Sequence, residues 1–301
     1  MYLRKGIIMR KSKGKKTKTS SFGTSGRFSH DSSIFYDSNL YKKDRKEVDY
    51  YENSIDEEHM NMVFCASSEN MKELPDCSIH LMITSPPYNA SKEYDEDLDL
   101  DEYLSLLDNV WKETYRVLVP GGRACVNIAN LGRKPYIPMN SYVTKAMIDI
   151  GFLMRGEIIW NKSASAGSST AWGSWKSASN PVLRDVHEYI LIFCKDNFKR
   201  SKLEREDTID KDEFLEYTKS IWDFQTESAK KIGHPAPFPE ELPDRLLKMY
   251  SFKGDTILDP FAGSGTTCLS ALKNQRNYIG YETVQEYVDR ANKRINASKS
   301  T

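Results

Sequence analysis

Two stretches of the chain carry residues whose types and spacing suit chemistry on a nucleoside. Ile79 to Ile83 is an apolar run that ends in Thr84-Ser85-Pro86-Pro87-Tyr88-Asn89. Two consecutive prolines forbid helix and donate no backbone hydrogen bond, so the chain leaves the run extended, with the carbonyls of Ser85 and Pro86 free. A stiff pair of acceptors beside an aromatic ring results. The Ser85 hydroxyl oxygen and the Pro86 carbonyl match the two N–H bonds of an exocyclic amino group on a flat heterocycle, with Tyr88 stacked on its ring. The competing reading is a proline-terminated strand with a packing tyrosine.

The second stretch reads as a βαβ unit: Thr256–Asp259 as a strand, Pro260-Phe261-Ala262-Gly263-Ser264-Gly265 as a glycine loop, Thr266 to Leu272 as a helix, Tyr278 to Glu282 as a strand and Val284 to Ile295 as a closing helix. Glycines let the backbone approach a ligand closely, and Glu282 at a strand end is placed to accept hydrogen bonds from ribose hydroxyls. A phosphate-cradling loop needs Gly-Lys-Ser/Thr, whereas Gly265 is followed by Thr266-Thr267; a dinucleotide fingerprint needs a third glycine where Cys268 stands. Asp259, just before the loop, would repel a pyrophosphate and attract an ammonium group. A ligand with an amino-acid end, a ribose and no phosphate fits these facts, and S-adenosylmethionine is such a ligand.

The elements that must position these residues follow from pattern. Met62 to Cys65 and Ile79 to Thr84 read as strands, with a short helix expected over Glu69 to Leu74. Leu100, Tyr103, Leu104, Leu107, Val110, Trp111, Tyr115 and Leu118 mark one face of an amphipathic helix, entered through Asp99 or Asp101 and stopped by Pro120-Gly121-Gly122. Strands are expected over Ala124 to Ala129, Ile158 to Trp160 and Asp185 to Phe193, and helices over Ser141 to Ile150 and Glu240 to Tyr250. His187 and Glu188 alternate faces, so adjacency does not make them a dyad. Ser163 to Asn180, rich in Ser, Ala and Gly, carries Trp172, Trp175 and Lys176. Such a loop suits wrapping a polymer, or it is an Ω-loop with its tryptophans tucked inward.

Composition excludes several classes. A formal net charge of zero hides a basic arm, since residues 1–30 hold nine Lys or Arg, among them Lys13, Lys15, Lys16, Lys18 and Arg27, and no acid. An arm of that composition is expected to be disordered and to meet a nucleic acid through phosphates, or to serve as a solubilising tail. Five scattered cysteines without a Cys-x-x-Cys pair and five histidines give neither a disulfide framework nor a metal site. No apolar run approaches a membrane span, and Ile7-Ile8-Met9 is too short for a secretory signal, so the expected location is the cytoplasm.

Ser-Pro-Pro-Tyr at 85–88 together with Asp-Pro-Phe-Ala-Gly-Ser-Gly-Thr at 259–266 resembles the amino-methyltransferases of DNA, and the order of the two motifs resembles their circularly permuted beta group. The resemblance covers about residues 60 to 296. Val119-Pro120-Gly121-Gly122 is similar to that family's helix-to-strand turn, His187 to Phe193 to its later strand motif, and His234-Pro235-Ala236-Pro237-Phe238-Pro239 to its loop beside the cofactor. The resemblance implies an α/β, Rossmann-like S-adenosylmethionine-dependent fold with a mainly parallel sheet flanked by helices. It implies Ser85, Pro86, Pro87 and Tyr88 as the catalytic element. Asp259, Phe261, Gly263, Gly265 and Thr266 would hold the methionine and ribose side, Glu282 the ribose, and Phe238 would pack nearby. Where the family often carries an acid for the adenine amino group, this chain has Ala66-Ser67-Ser68.

By the same resemblance, serine rather than aspartate at position 85 favours cytosine N4 over adenine N6. The implied activity is a site-specific methyltransferase acting on double-stranded DNA with a flipped target base, in a restriction-modification system with a cognate endonuclease. RNA amino-methylation and a non-catalytic DNA-binding protein on the same fold are the rivals. The expected domain map is a basic arm at 1–30, an aromatic and charged lead-in at 31–60, a catalytic half at 61–194 with the loop at 163–180, a small target-recognition insert at 195–232 and a cofactor half at 233–301. Lys13, Lys15, Lys16, Lys18, Arg27, Trp172, Trp175 and Lys176 are the expected DNA contacts.

Overall fold

The computed structural model describes residues 18–19, 27–28, 47–87, 98–132, 134–162, 173–225 and 239–299. The chain divides into two units, Met1–Lys46 and Glu47–Thr301. In the first, β1 (Lys18–Thr19) and β2 (Arg27–Phe28) pair antiparallel, so these four residues of the expected disordered arm form a ladder. The rest of the arm lies outside the described residues.

The second unit holds one eight-stranded sheet. Its strands are β3 (Met62–Cys65), β4 (Ile79–Thr84), β5 (Leu118–Ile128), β6 (Leu153–Asn161), β7 (His187–Cys194), β8 (Ile221–Asp223), β9 (Thr256–Asp259) and β10 (Asn277–Glu282), in the spatial order β3-β10-β9-β4-β5-β7-β6-β8. The block from β3 to β5 is parallel, β7 runs antiparallel to both β5 and β6, and β8 is parallel to β6. The central strands β4 and β9 are buried along their whole length, which explains why they read as continuous apolar runs and not as alternations.

Helices cover both faces. On one lie α1 (Leu100–Val117) and α2 (Met139–Ile150), whose Leu107, Val110, Trp111, Val143 and Met147 pack with Met82 and Leu258 of the sheet. On the other lie α4 (Glu241–Tyr250), α5 (Thr266–Lys273) and α6 (Gln285–Lys299), whose Leu246, Leu269 and Ala291 pack with Leu81, Ile83 and Ile257. Helix α1 opens with a capping box: Asp99 Oδ1 accepts the Glu102 N–H at 2.9 Å and Glu102 Oε2 accepts the Asp99 N–H at 3.0 Å. The short α3 spans Lys211–Tyr217.

Two expectations are corrected. Glu69 to Leu74 forms turns, because tertiary partners take its backbone groups: the Met71 N–H donates to Glu113 Oε2 at 2.8 Å, and Arg116 donates to the carbonyls of Met71 and Leu74 at 2.9 and 2.8 Å. Pro120-Gly121-Gly122 does not stop α1, which ends at Val117; it lies inside β5. There Gly121 adopts φ +79° and residues 199–200 cross so closely that a Cβ would sit 2.6 Å from the Lys199 carbonyl oxygen. Residues 195–225 of the charged segment are described. They supply the edge strand β8 and belong to the same compact unit.

Candidate active site

Strand β4 continues to β5 through α1, β9 continues to β10 through α5, and β4 and β9 lie side by side. Parallel crossovers are right-handed, so two that depart in opposite lateral directions place their helices on opposite faces and leave a crevice at the carboxyl ends between the strands. Both chemically suggestive stretches begin at that crevice. The Thr84 hydroxyl donates to Asp259 Oδ1 at 2.7 Å across it, a buried bond between residues 175 positions apart.

Thr84 ends β4 and delivers Ser85, half-buried, and Pro86, buried. Among the described residues no hydrogen bond is made to the Pro86 carbonyl, as the proline geometry requires of a free acceptor. The carbonyl of Pro87 is different: it accepts the Tyr103 hydroxyl of α1 and so anchors the motif to the helix. Tyr88 lies outside the described residues.

On the cofactor side, Asp259 is fully buried and its carboxyl is pushed up to about 6 by that burial, against hydrogen bonds from Thr84 and from the Phe261 N–H at 3.1 Å. Among the described residues no cation pairs with it. Its Oδ2 is also buried, and the neutral hydroxyl of Thr267 beside the carboxyl works, like that of Thr84, against the rise. Glu282 ends β10. Its Oε2 accepts the Gly263 N–H at 3.0 Å and its Oε1 the Val284 N–H at 2.9 Å, so it fixes the glycine loop as well as facing the crevice edge. Phe261 packs edge-on against Trp111 at 6.3 Å. Gly263 and Gly265 both have positive φ, +51° and +76°.

The reason for Gly265 is packing: a Cβ there would lie 2.8 Å from the Cβ of Ala291 on α6. The Thr266 hydroxyl accepts from Arg294 of α6 at 3.3 Å, and Ser264 accepts from the same guanidinium. These two residues face a neighbouring helix. Phe238 lies outside the described residues.

A row of residues that no sequence motif joins extends the site sideways. Register sets Thr84 of β4 opposite Val126 of β5, and therefore Ser85 beside Asn127. Asn127 Nδ2 donates to Glu188 Oε2 at 2.6 Å and to Ser85 Oγ at 3.4 Å, and Lys162, just past β6, pairs with Glu188 Oε1. His187 turns the other way, edge-on to Tyr189 at 4.9 Å, as strand alternation requires. Asn127 is buried, and its Oδ1 has no partner. An unsatisfied buried acceptor costs about 1–3 kcal/mol. The only sequence signal for this row is a polar residue at each of the otherwise apolar positions 127 and 188.

Of the expected DNA contacts, Trp175 is 64% exposed and Lys176 Nζ lies 5.4 Å over its ring, in a turn closed by a bridge between Gly173 and Pro181. Trp175 is thus not tucked inward. Trp172, Lys13, Lys15 and Lys16 lie outside the described residues, and Lys18 and Arg27 are described as backbone only. Among the described residues there is no cluster of metal-ligating side chains and no helix long and apolar enough to cross a membrane.

Comparison with known proteins decides the family. Residues 79–293 match the model of the N6/N4 DNA methylases. The chain belongs to that family. It is 33% identical over 273 residues to the Type II methyltransferase M.MjaI of Methanocaldococcus jannaschii, covering 76% of this chain and 89% of that protein. It is also 33% identical over 270 residues to M.MthZI of Methanothermobacter thermautotrophicus, covering 78% and 76%. Among solved structures it resembles TTHA0409 of Thermus thermophilus complexed with S-adenosyl-L-methionine, at TM-score 0.62 and 29% identity over 78% of this chain and 93% of that one. The cytosine-N4-specific PvuII DNA methyltransferase, at TM-score 0.61 and 23% identity over 77% and 85%, shares the fold.

This DNA methylase therefore depends on S-adenosylmethionine, and its residues fit that cofactor. A buried carboxylate without a cation suits the ammonium of the methionine end, and Glu282 at the end of the neighbouring strand suits the ribose.

Proposed function

We propose that the enzyme methylates the exocyclic N4 amino group of cytosine in a short sequence of duplex DNA, with the target base flipped out of the helix. The observation that carries this reading is Ser85: a neutral hydroxyl at the carboxyl end of β4, next to the Thr84–Asp259 bond that joins the amine site to the cofactor site. A carboxylate there would repel the O2 acceptor of cytosine; serine does not. An exocyclic amine is a poor nucleophile because its lone pair is delocalised into the ring. Ser85 Oγ and the Pro86 carbonyl accept its N–H bonds, draw the nitrogen toward tetrahedral geometry and direct the lone pair. S-adenosylmethionine, when bound, supplies an electrophilic methyl group on a sulfonium. Pro86 and Pro87 fix the acceptors before the base arrives, Tyr88 stacks on the flipped ring, and Asp259 and Glu282 set the cofactor's position.

The names of the M.MjaI and M.MthZI relatives, both Type II methyltransferases, support a place in a cytoplasmic restriction-modification system with a cognate endonuclease. The exposed Trp175 with Lys176, the lysines of the arm (Lys13, Lys15, Lys16, Lys18), Arg27 and Trp172 are assigned to DNA. Removing residues 1–27 is expected to weaken DNA binding and flatten its salt dependence without changing cofactor affinity. Superimposable salt titrations of the two forms would remove the arm from the interface.

The deciding experiment is transfer of labelled methyl to unmethylated genomic DNA, followed by nucleoside digestion and mass analysis. N4-methylcytosine is expected. N6-methyladenine would overturn the base assignment and leave the site standing, whereas label confined to RNA, or none in any polymer, would overturn the function.

A further inference from the structure

Strand β5 runs past the crevice into a short finger, residues 131–137. Thr84 of β4 stands opposite Val126 of β5, so the residues after Ile128 leave the sheet at the edge where Ser85 lies. Leu131 follows Asn127, the neighbour of Ser85, by four residues, a span of at most about 14 Å. Leu131 and Ile137 close a hairpin: the Leu131 N–H donates to the Ile137 carbonyl at 3.0 Å, and the Ile137 N–H donates to the Leu131 carbonyl at 2.7 Å. Both side chains pack against the core under α1 and α2, and Asn130 Oδ1 accepts the Asn140 N–H at 3.0 Å, which ties the finger to the first turn of α2. Gly132 completes the fixation. It has φ +66°, and a Cβ there would lie 2.6 Å from the Pro135 carbonyl oxygen. A finger rooted in this way holds its tip in place before any ligand arrives.

The tip carries a cation and an aromatic ring. Lys134 is exposed, and among the described residues no carboxylate pairs with it. Exposed lysines elsewhere differ: Lys112, Lys145, Lys202, Lys219, Lys253 and Lys273 each pair with a carboxylate. Tyr136 is 46% exposed. It stands beside the amino end of β7, which begins where β5 ends because the two strands are antiparallel. Burial raises the Tyr189 hydroxyl of β7 above its ordinary value, and the Tyr136 hydroxyl nearby adds to the rise. A preformed hairpin with an unpaired cation and an open ring at the mouth of the site suits the polyanion that must enter there.

We propose that the finger grips the backbone of the DNA beside the target base, with Lys134 on a phosphate and the Tyr136 ring on the adjoining sugar. The proposal rests on the reading of the crevice at Ser85 as the place where the duplex presents its target, and not on which base that is. A backbone contact this close to the site fixes the register of the duplex on the enzyme and leaves the reading of sequence to other residues.

The test is binding of the full chain to a labelled fragment of unmethylated duplex DNA, read by fluorescence anisotropy over a range of salt concentrations, with cofactor affinity and thermal unfolding measured on the same samples. Lys134→Ala is expected to weaken binding about tenfold at low salt and to lower the slope of log K against log salt by about one, the loss of one phosphate contact. Lys134→Glu is expected to cost about a hundredfold, and Lys134→Arg to bind as the wild type does. Tyr136→Ala is expected to weaken binding severalfold at the wild-type slope, because the ring carries no charge. Lys253→Ala, just before β9 at the opposite edge of the sheet, is expected to match the wild type throughout. A Lys134→Ala titration that superimposes on that of the wild type, an unaltered affinity in Tyr136→Ala, or an equal loss in Lys253→Ala overturns the proposal. A wild-type enzyme that binds no duplex removes the proposed function itself, and is recognisable before any variant is compared.

Discussion

Strand β9 is bracketed by two aspartates, Asp255 just before it and Asp259 as its last residue, and the molecule treats them in opposite ways. Asp255, at the amino end, is fully buried and neutralised: Arg200 pairs with its Oδ2, Arg205 Nε lies 3.4 Å from its Oδ1, and the Phe252 N–H donates to Oδ2 at 2.7 Å. Around it, His80 accepts the Thr256 N–H at Nδ1 and turns Nε2 toward Glu52 at 3.2 Å, while Arg205 also binds Glu52. His80, Arg205 and Tyr50 together hold the Glu52 carboxyl well below the usual range, the His80 hydrogen bond contributing most. Asp259, at the carboxyl end, is equally buried but among the described residues meets neutral hydroxyls and a backbone N–H and no cation, and burial pushes its carboxyl up to about 6. Where the fold needs a clasp, the chain supplies the cations; at the end proposed for the cofactor, the described residues supply none. A carboxylate left short of positive charge inside a protein marks a place that a ligand completes.

The largest effect expected from this contrast is at the saturated end. Asp255→Asn leaves Arg200 buried without its counter-charge and should lower stability by about 3–5 kcal/mol, read by urea unfolding, while the folded fraction transfers methyl at the normal rate. A neutral result would mean that the arginines find other partners and that the clasp is ornamental.

Asp259→Asn should behave in the reverse sense. Because burial raises the folded carboxyl from its ordinary 3.8 to about 6, the native state binds the proton more tightly than the unfolded chain. Its contribution is fully present below about pH 4 and is lost as pH rises through 6, in total about 3 kcal/mol. The asparagine variant should therefore be at least as stable as wild type at pH 7 and lack that segment of the pH profile. Its cofactor affinity should fall about a hundredfold, as measured by calorimetric titration. In the wild type that affinity should weaken as pH drops below 6, where Asp259 loses its charge. Cofactor binding that ignores both the substitution and the pH would end the assignment of Asp259 to the ammonium.

A smaller effect sharpens the difference between binding and packing within the same loop. Gly265→Ala must adopt positive φ and push against Ala291, and should cost about 1–3 kcal/mol in thermal unfolding. At cofactor concentrations far above Kd, the folded variant should retain its rate. A rate loss at full cofactor saturation would show that Gly265 also borders the ligand.

Much of the fold and of the site is legible in the residues alone. Apolar runs locate β4 and β9, the spacing of Leu100 to Leu118 locates α1, and the paired prolines and glycines locate the two loops. The misreadings have local causes. Glu69 to Leu74 has helical composition, but Glu113 and Arg116, more than forty residues away, take its backbone groups. Pro120-Gly121-Gly122 looks like a stop signal and is in fact the place where residues 199 and 200 cross a strand. In the charged segment after Lys195, Arg200 and Arg205 pair with Asp255 beside the amino end of β9.

What the sequence determined by itself is therefore the local backbone at two points, a proline-stiffened exit at Ser85 and Pro86 and a glycine loop between an aspartate and a glutamate, for which the amine and cofactor roles are proposed. These follow from covalent facts, the missing N–H of proline and the missing Cβ of glycine, which act wherever the residue stands. Tertiary structure alone decided that β4 and β9 are neighbours, so that Thr84 reaches Asp259 over 175 positions of chain, and that Asn127 and Glu188 stand in one row with Ser85. Strand order and register depend on how whole faces of α1, α2, α4, α5 and α6 pack, and no short segment carries that information.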